Sequence, residues 1–421
     1  MKPAVTILLV ALSAISVFAR TTKEELARQA VTTEVSAAES AIAELRAMGR
    51  EGLDTLFTVY AADIERFSEG RERAENWDRI ARAIDAVAMQ KDAYASRLYW
   101  YTDLNEAKKA ADSQHKPILS LRLLGNLTEE FSCANSRFFR ALLYSNSAIS
   151  KYLRENYILH WKSVRPAPRV TIDFGDGRKI ERTLTGNSIH YVLTEKGDII
   201  DAIPGLYSPN AFLAYIAAGR DVNKALSGFP TLQRINALLQ YRKSSFDHIL
   251  DKRKGNMVAA KVALTEPPVE GSRAIDVSRI AITKMFIETP ILTSIVDDFS
   301  RYEPSIQMGD WEKLASLSSP NNGIDAASVA FIERQNPGLG KSELDALLVK
   351  LNKYVSLDTT RNDFLLHPQL YSWLNRDPAF PLEALNARVY SSIFKTPDSD
   401  PWLGLYSPDI YTALDGNGVI K

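Results

Sequence analysis

The single cysteine of the chain and the serine three residues after it are the side chains whose types and spacing point most directly to chemistry. They form Cys133-Ala134-Asn135-Ser136, at the start of a predicted helix. A thiolate at a helix start is readily activated and can attack a disulfide. Resolving the mixed disulfide that results requires a second thiol, which a serine hydroxyl does not supply. The chemistry open to this pair is therefore that of a single thiol.

Two interpretations of Cys133 stay open at the level of sequence. In the first it is a nucleophile for thiol exchange, glutathionylation or an intermolecular disulfide. Arg137 and Arg140 then either add positive potential around it or are solvated. Glu129 and Glu130 would oppose its ionisation if they lay close. In the second interpretation it is a small buried residue left from a redox ancestor, because free cysteine often packs as a core hydrophobe.

The overall composition is that of a globular protein, with 421 residues and 51 Lys and Arg against 51 Asp and Glu. A formal net charge of zero argues against binding nucleic acid or anionic membranes through bulk electrostatics. One cysteine excludes intramolecular disulfides, Cys-x-x-Cys couples and multi-cysteine metal sites within one chain. The five histidines lack metal-type spacing, and phosphate-binding and dinucleotide-binding fingerprints are missing. We therefore expect neither a metal nor a cofactor.

The segment 1–19 has the anatomy of a signal peptide. Lys2 precedes an apolar run that ends in Val17-Phe18-Ala19, with small residues at the last and third-last positions. We expect cleavage after Ala19 and export to a periplasm or out of the cell. The alternative is an uncleaved anchor, since the run is near the lower length limit for crossing a bilayer. No later stretch is long and apolar enough, so we expect no membrane contact beyond this segment.

Three zones follow in the mature chain. Residues 20–98 contain few glycines and prolines and read as helices, beginning with the capping box Thr22-x-x-Glu25. Residues 99–222 alternate strand and helix patterns. Residues 223–421 return to helical patterns, interrupted by proline-rich loops. Helices are predicted near 77–89, 232–249, 277–286, 343–354 and 382–394.

The middle zone has a readable order of elements. A helix with its N-cap at Thr102 or Asp103 precedes Lys116-Pro117 and a strand over 118–124. Further strands are predicted over 158–161, over 189–193 and at 199–200. A Gly-Asp-Gly turn predicts a hairpin over about 170–184.

This order resembles that of thioredoxin-like proteins of the exported bacterial type, over the middle third of the chain. The resemblance implies an α/β thioredoxin-like domain over 99–222, with a central mixed sheet flanked by helices, and mainly α-helical N- and C-terminal regions. It places Cys133 on the first cysteine of the family motif, Ser136 on the second and Ser188 on the cis-proline. The residues 126–131 and the hairpin are insertions relative to that pattern.

The departures from the family pattern decide the functional expectation. A Cys-x-x-Ser motif cannot complete dithiol exchange. The leading hypothesis is an exported, non-catalytic binding or assembly module with an unidentified protein partner. The alternative is an enzyme, a monothiol exchanger or isomerase that uses Cys133 alone, and a third possibility is a dimer linked through Cys133. His190 follows Ser188 by two residues, and it either faces the Cys133 region or is a structural, hydrogen-bonded histidine.

In the C-terminal zone, the segments 358–368 and 371–374 combine polar and aromatic residues densely. Such a combination indicates a groove or a contact between regions, and packing is the simpler interpretation.

Overall fold

A computed structural model gives the fold of the chain. The residues that it describes are 21–263, 281–295, 308–318, 324–403, 405–406, 413–414 and 419. The predicted signal peptide and positions 277–280 of a predicted helix lie outside these residues.

The N-terminal region is a group of five helices with a core of its own. The helices are α1 (Lys23–Gln29), α2 (Val35–Ala47), α3 (Arg50–Val59), α4 (Ala61–Ser68) and α5 (Trp77–Ala88). The predicted cap at Thr22 is present, since its hydroxyl accepts a bond of 3.2 Å from the amide of Glu25. Between α2 and α3 the chain turns at Gly49, which has a φ of 69° that glycine adopts without strain. The side chains that this core buries include Leu26, Leu45, Leu53, Leu56, Ile80 and Ile84.

The centre of the molecule is a mixed sheet of five strands. They are β1 (Trp100–Tyr101), β2 (Ile118–Leu124), β3 (Ile158–Arg165), β6 (Ile189–Leu193) and β7 (Ile199–Pro204), in the order β1-β3-β2-β6-β7. The first three are mutually parallel, whereas β6 is antiparallel to β2 and β7 is antiparallel to β6. The predicted mixed sheet is confirmed, but β3 extends four residues beyond the predicted end at position 161.

A separate two-stranded ribbon joins β3 to β6. It consists of β4 (Arg169–Asp173) and β5 (Lys179–Thr183), which pair antiparallel. Its turn contains Gly175 and Gly177, both with positive φ. The ribbon lies at the place for which the Gly-Asp-Gly sequence predicts a hairpin.

Helices connect the strands of the sheet. Helix α6 (Leu104–Gln114) leads from β1 to β2, and Asp103 caps it through bonds of 2.7 and 2.9 Å to the amides of Asn105 and Glu106. Between β2 and β3 lie α7 (Ala134–Phe138), which continues as a π-helical turn, and α8 (Ser147–Asn156). Helix α9 (Pro209–Leu226) follows β7.

The C-terminal region consists of further helices. They are α10 (Thr231–Ala260), α11 (Ile282–Ile295), α12 (Met308–Ser318), α13 (Ala326–Gln335), α14 (Lys341–Arg361), α15 (His367–Arg376) and α16 (Leu382–Arg388). Helix α14 continues into α15 through a π-helical segment, and α16 continues into another, Val389–Ile393. None of the helices among the described residues has the length and hydrophobicity needed to cross a membrane.

The sheet and the C-terminal helices share one hydrophobic core. Strands β2, β6 and β7 are mostly apolar and are buried along their whole length, as expected for strands that are covered on both faces. Leu370, Trp373, Leu385 and Val389 belong to the same cluster as the sheet residues. The sheet therefore depends on the C-terminal helices for its cover.

A buried polar contact also ties the C-terminal region to the sheet. His367, at the start of α15, has its Nε2 atom 2.6 Å from Oδ1 of Asp201 in β7, and both side chains are fully buried. The dense polar and aromatic segment at 358–368 is thus a packed contact between regions.

Candidate functional site

The backbone holds Cys133 between a strand end and a helix start. Strand β2 ends at Leu124, and the chain turns at Gly125, which has a φ of 72°. After a short loop, the amide of Cys133 returns to donate a bond of 3.0 Å to the carbonyl oxygen of Leu124. Cys133 is the residue that immediately precedes α7. The loop therefore fixes the cysteine beside the end of the central strand.

Two hydroxyl groups surround the sulfur. Sγ of Cys133 lies 2.8 Å from Oγ of Ser188 and 3.5 Å from Oγ of Ser136. Ser188 occupies the loop before β6, so the sequence-predicted positions 133, 136 and 188 are neighbours in the fold. The peptide bond that precedes Ser188 is trans.

The other polar groups around the sulfur form a network that is itself buried. The Ser136 hydroxyl is 2.8 Å from the Cys133 carbonyl oxygen and 2.7 Å from Oγ of Ser132. The Asn135 amide donates to Oδ1 of Asn187 over 3.2 Å. The hydroxyl groups are thereby engaged with one another and with the backbone.

The chamber around Cys133 is closed to solvent. The exposed fraction of Cys133, Ser136 and Ser188 is 0%. The chain approaches so closely that a Cβ atom placed on Gly186 would lie 2.2 Å from Cβ of Cys133. Tyr390 covers a further side and donates a bond of 3.0 Å to the carbonyl oxygen of Asn187. A disulfide-bonded substrate cannot reach the sulfur in this conformation.

A buried ion pair lies over the same chamber. Lys284 and Glu288 of α11 are one helical turn apart, with Nζ 3.4 Å from Oε2, and their side chains are at most 1% exposed. Glu288 also accepts a bond of 2.9 Å from the amide of Thr185, which is close in sequence to Ser188. Helix α11 is therefore fastened to the loop that carries Ser188.

Burial shifts the pKa of both partners toward the neutral form. It lowers the pKa of Lys284, whereas Glu288 and, to a smaller extent, Cys133 act in the opposite direction. It also raises the pKa of Glu288, an effect that Lys284 opposes. Arg137, one turn into the helix after Cys133, has its pKa lowered by burial as well. Two cationic side chains thus interact electrostatically with the sulfur.

No family model, curated protein sequence or solved structure matches this chain. The function has to be argued from the site itself.

His190 is a structural, hydrogen-bonded histidine. Its Nε2 atom is 2.7 Å from the hydroxyl of Tyr144, and its ring packs between Phe139 and Phe212, with centroid distances of 4.5 and 5.0 Å. Full burial lowers the pKa of His190 to about 3, so the ring is neutral. A neutral imidazole in this position can accept or donate one bond to Tyr144 but carries no charge toward Cys133.

The charged residues near the motif have other partners. The carboxylates of Glu129 and Glu130 lie 4.0 Å from Arg169 and 3.5 Å from Lys91, respectively. Arg140 is nearly buried and donates to the carbonyl oxygens of Glu129 and Glu130. The guanidinium group of Arg140 thereby holds the insertion 126–131 in place.

Sequence reasoning missed Lys284, Glu288 and Tyr390. Lys and Glu one turn apart inside an otherwise apolar helical segment is a signal that could have indicated a buried pair. Tyr390 carries no such signal. Among the described residues, no group of three His, Cys, Asp or Glu side chains is placed to hold a metal ion.

Proposed function

We propose that this chain is an exported protein with a thioredoxin-like domain whose redox couple has been lost, and that it acts as a non-catalytic binding or assembly module. The parallel strands β1, β3 and β2, the antiparallel strands β6 and β7, and the cysteine at the start of the helix after β2 support the assignment of the domain. The β4–β5 ribbon then replaces a connection between the third and fourth strands of that domain.

The observation that carries the non-catalytic proposal is the enclosure of the thiol next to a serine. Ser136 stands where a resolving cysteine would be needed, and Cys133 has no exposed surface. Exchange requires an in-line approach of a substrate disulfide to a thiolate. Neither the resolving sulfur nor the access is present in this conformation.

Export is proposed from the sequence of residues 1–19. An enclosed thiol suits an oxidising compartment, because an exposed unpaired thiol would be oxidised there. Intact mass spectrometry of protein recovered from the exported fraction tests the proposal, and we expect a chain that begins at Arg20. A chain that retains residues 1–19 in the membrane fraction would contradict it.

The β4–β5 ribbon is the feature that supports a protein partner. Ile172 and Ile180 face each other across its two strands and are 40% and 39% exposed, and Phe174 next to the turn is 52% exposed. Apolar side chains that project on a ribbon are typical of contact surfaces. The partner is proposed to be a protein that covers these three side chains.

An insulin-reduction assay with a thiol reductant tests the non-catalytic proposal. We expect wild-type protein to be no faster than the Cys133→Ala variant. Ser136→Cys restores a dithiol motif without changing the approach to Cys133, so it should stay inactive if the enclosure of the thiol alone prevents exchange. Sustained wild-type turnover that Cys133→Ala abolishes would overturn the proposal.

The monothiol exchanger is the second candidate, and the position of Cys133 immediately before α7 favours it. It requires that α11 move away from Cys133. Native protein is incubated with oxidised glutathione, and mass spectrometry records how much of it forms a mixed disulfide. This measurement distinguishes the exchanger from the enclosed, non-catalytic module. Rapid, stoichiometric modification of native protein would support the exchanger, and modification only after unfolding would support the enclosed module.

A further inference from the structure

A cavity of about 870 Å³ lies beside the helix that follows Cys133. Its walls come from α7 and the turn after it, from α11, from α13 and from α14. Most of the lining is apolar and includes Phe138, Phe286, Ile287, Ile332, Leu347 and Leu351. Its volume falls in the range of small-molecule binding sites, which combine apolar walls with a few polar groups.

Arg137 is the polar group that stands out in this lining. Its side chain forms neither a hydrogen bond nor an ion pair with any residue of the chain that the structure describes. Burial lowers the pKa of Arg137, whereas the charges of Cys133, Glu288 and Glu130 act in the opposite direction. A half-buried guanidinium group that makes no hydrogen bond within the described residues has its donors available for an anion.

The carboxylates nearest Arg137 form their ion pairs with other residues. Glu288 pairs with Lys284 at 3.4 Å. The carboxylates of Asp92 and Glu130 lie 3.6 and 3.5 Å from Nζ of Lys91. Arg140 is held by backbone carbonyl oxygens and by Asp92 at 3.9 Å.

Lys350 adds a second positive charge at the cavity wall. Its Nζ atom lies 5.8 Å from the centre of the Tyr354 ring, and it has no carboxylate partner among the described residues. The uncompensated charge that faces the cavity is therefore positive.

We infer that this cavity is a binding site for an amphipathic carboxylate, an acyl chain with one terminal carboxylate whose head pairs with Arg137 and whose chain fills the apolar volume. The planar guanidinium group matches a carboxylate through two parallel hydrogen bonds. Apolar walls gain free energy by covering methylene groups. The inference goes beyond the proposed protein-binding function and depends neither on Cys133 chemistry nor on the fold family.

Isothermal titration of the purified full chain with octanoate, decanoate and dodecanoate, each below its micelle-forming concentration, tests the site. We expect saturable binding at one site per chain, with affinity rising roughly fourfold per added methylene until the cavity is full. 1-Decanol, which has the same chain but no charge, should bind more weakly than decanoate by roughly tenfold or more.

Three variants locate the binding. Arg137→Gln should lose the preference for decanoate over 1-decanol, whereas Leu351→Trp should weaken both ligands by filling the cavity. Arg220→Gln on the surface of α9 is the matched control and should bind like wild type. Far-ultraviolet circular dichroism shows whether each variant is folded.

Either of two results would overturn the inference. One is the lack of saturable binding of all three carboxylates to wild-type protein up to about 1 mM. The other is an equal preference for decanoate in wild type and in folded Arg137→Gln. If Arg137→Gln does not fold, Arg137→Lys replaces it, because lysine keeps the positive charge but lacks the two parallel donors of the guanidinium group. An unchanged preference of Arg137→Lys for decanoate over 1-decanol, together with wild-type affinity of Leu351→Trp, would then contradict the inference.

Discussion

Cys133 and Ser188 are 55 positions apart in the chain, yet Sγ of Cys133 lies 2.8 Å from Oγ of Ser188. The contact joins the start of α7 to the loop before β6, on the side that Lys284 and Tyr390 cover. It places the sulfur inside the molecule, where the hydroxyl groups of Ser188 and Ser136 contact it. The accessibility of this thiol is therefore a property of the whole fold.

Labelling of Cys133 should accordingly report on opening of the structure. We expect native protein to react with a thiol reagent far more slowly than unfolded protein, because the exposed fraction of Cys133 is 0%. The measurement is the labelling rate as a function of urea concentration.

The matched control for the labelling experiment is Ser391→Cys in a Cys133→Ala background, because Ser391 is exposed. This thiol should react at the rate of an unfolded peptide at every urea concentration. Equal rates for Cys133 and the control thiol in native buffer would contradict the enclosed chamber.

Gly186 should be intolerant of any side chain. A Cβ atom there would lie 2.2 Å from Cβ of Cys133, so Gly186→Ala forces the backbone or the cysteine to move and should lower the free energy of unfolding by about 1–3 kcal/mol. Urea unfolding, followed by tryptophan fluorescence, measures the change.

Two variants control the glycine experiment. Gly255 is exposed inside α10, and a Cβ atom placed there would meet no other atom within 4 Å, so Gly255→Ala should stabilise the protein by up to about 1 kcal/mol. Adding Cys133→Gly to Gly186→Ala removes the clashing atom and should recover part of the loss. If Gly186→Ala left the free energy of unfolding unchanged, the two chain segments would approach each other less closely than the 2.2 Å distance implies.

The elements of the sheet could be predicted from the sequence because their signals are local. The run 118–124 after Lys116-Pro117 is apolar except for Ser120 and Arg122 and is bounded by turn residues, and strand β2 has these same limits. The N-cap of α6 at Asp103 is another local signal. Patterns of this kind need no information about distant parts of the chain.

The closure of the site could not be predicted because it comes from distant segments. Lys284 and Tyr390 reach Cys133 from helices more than a hundred positions further along the chain, and their sequence neighbours carry no trace of that contact. The sequence left open whether Cys133 is exposed, since the same motif fits both a reactive and a packed cysteine. Tertiary packing decides between them.

The Lys284–Glu288 pair should be sensitive to the loss of either partner. Glu288→Gln leaves a buried lysine without its counter-charge, which typically lowers the free energy of unfolding by about 3–5 kcal/mol. Lys284→Met together with Glu288→Gln removes both charges and should cost less than Glu288→Gln alone. Thermal unfolding of the three proteins measures the difference.

The surface pair Lys151–Glu155 provides the matched control, because it has the same spacing but both side chains are more than half exposed. Glu155→Gln should leave the unfolding temperature nearly unchanged. The expectation is contradicted if the double variant Lys284→Met with Glu288→Gln is less stable than Glu288→Gln alone. The cost of Glu288→Gln would then not come from leaving the charge of Lys284 without its partner.

Stability should depend on pH through His190. Burial lowers the pKa of His190 to about 3 in the folded protein, compared with ~6.5 in an unfolded chain. The unfolded state therefore binds an additional proton below pH ~6.5, and the stability that the neutral ring contributes is lost as the pH falls from there toward 3. The free energy of unfolding of wild-type protein, taken relative to that of His190→Gln, should be lower at about pH 5 than at about pH 7.5 by about 2 kcal/mol. Urea unfolding of both proteins at the two pH values measures this difference.

Using the difference between wild type and His190→Gln removes the contributions of other buried groups. Asp85 and Asp358 have their pKa raised by burial to about 7 and about 6, so their contributions run in the opposite direction and are lost as the pH rises. They act equally in both proteins and cancel. His248→Gln, at an exposed position of α10, controls for the substitution itself. The difference in free energy of unfolding between wild type and His190→Gln could instead stay constant from about pH 7.5 to 5. His190 would then take up a proton while the protein stays folded, and its ring would be less enclosed than its contacts with Phe139 and Phe212 indicate.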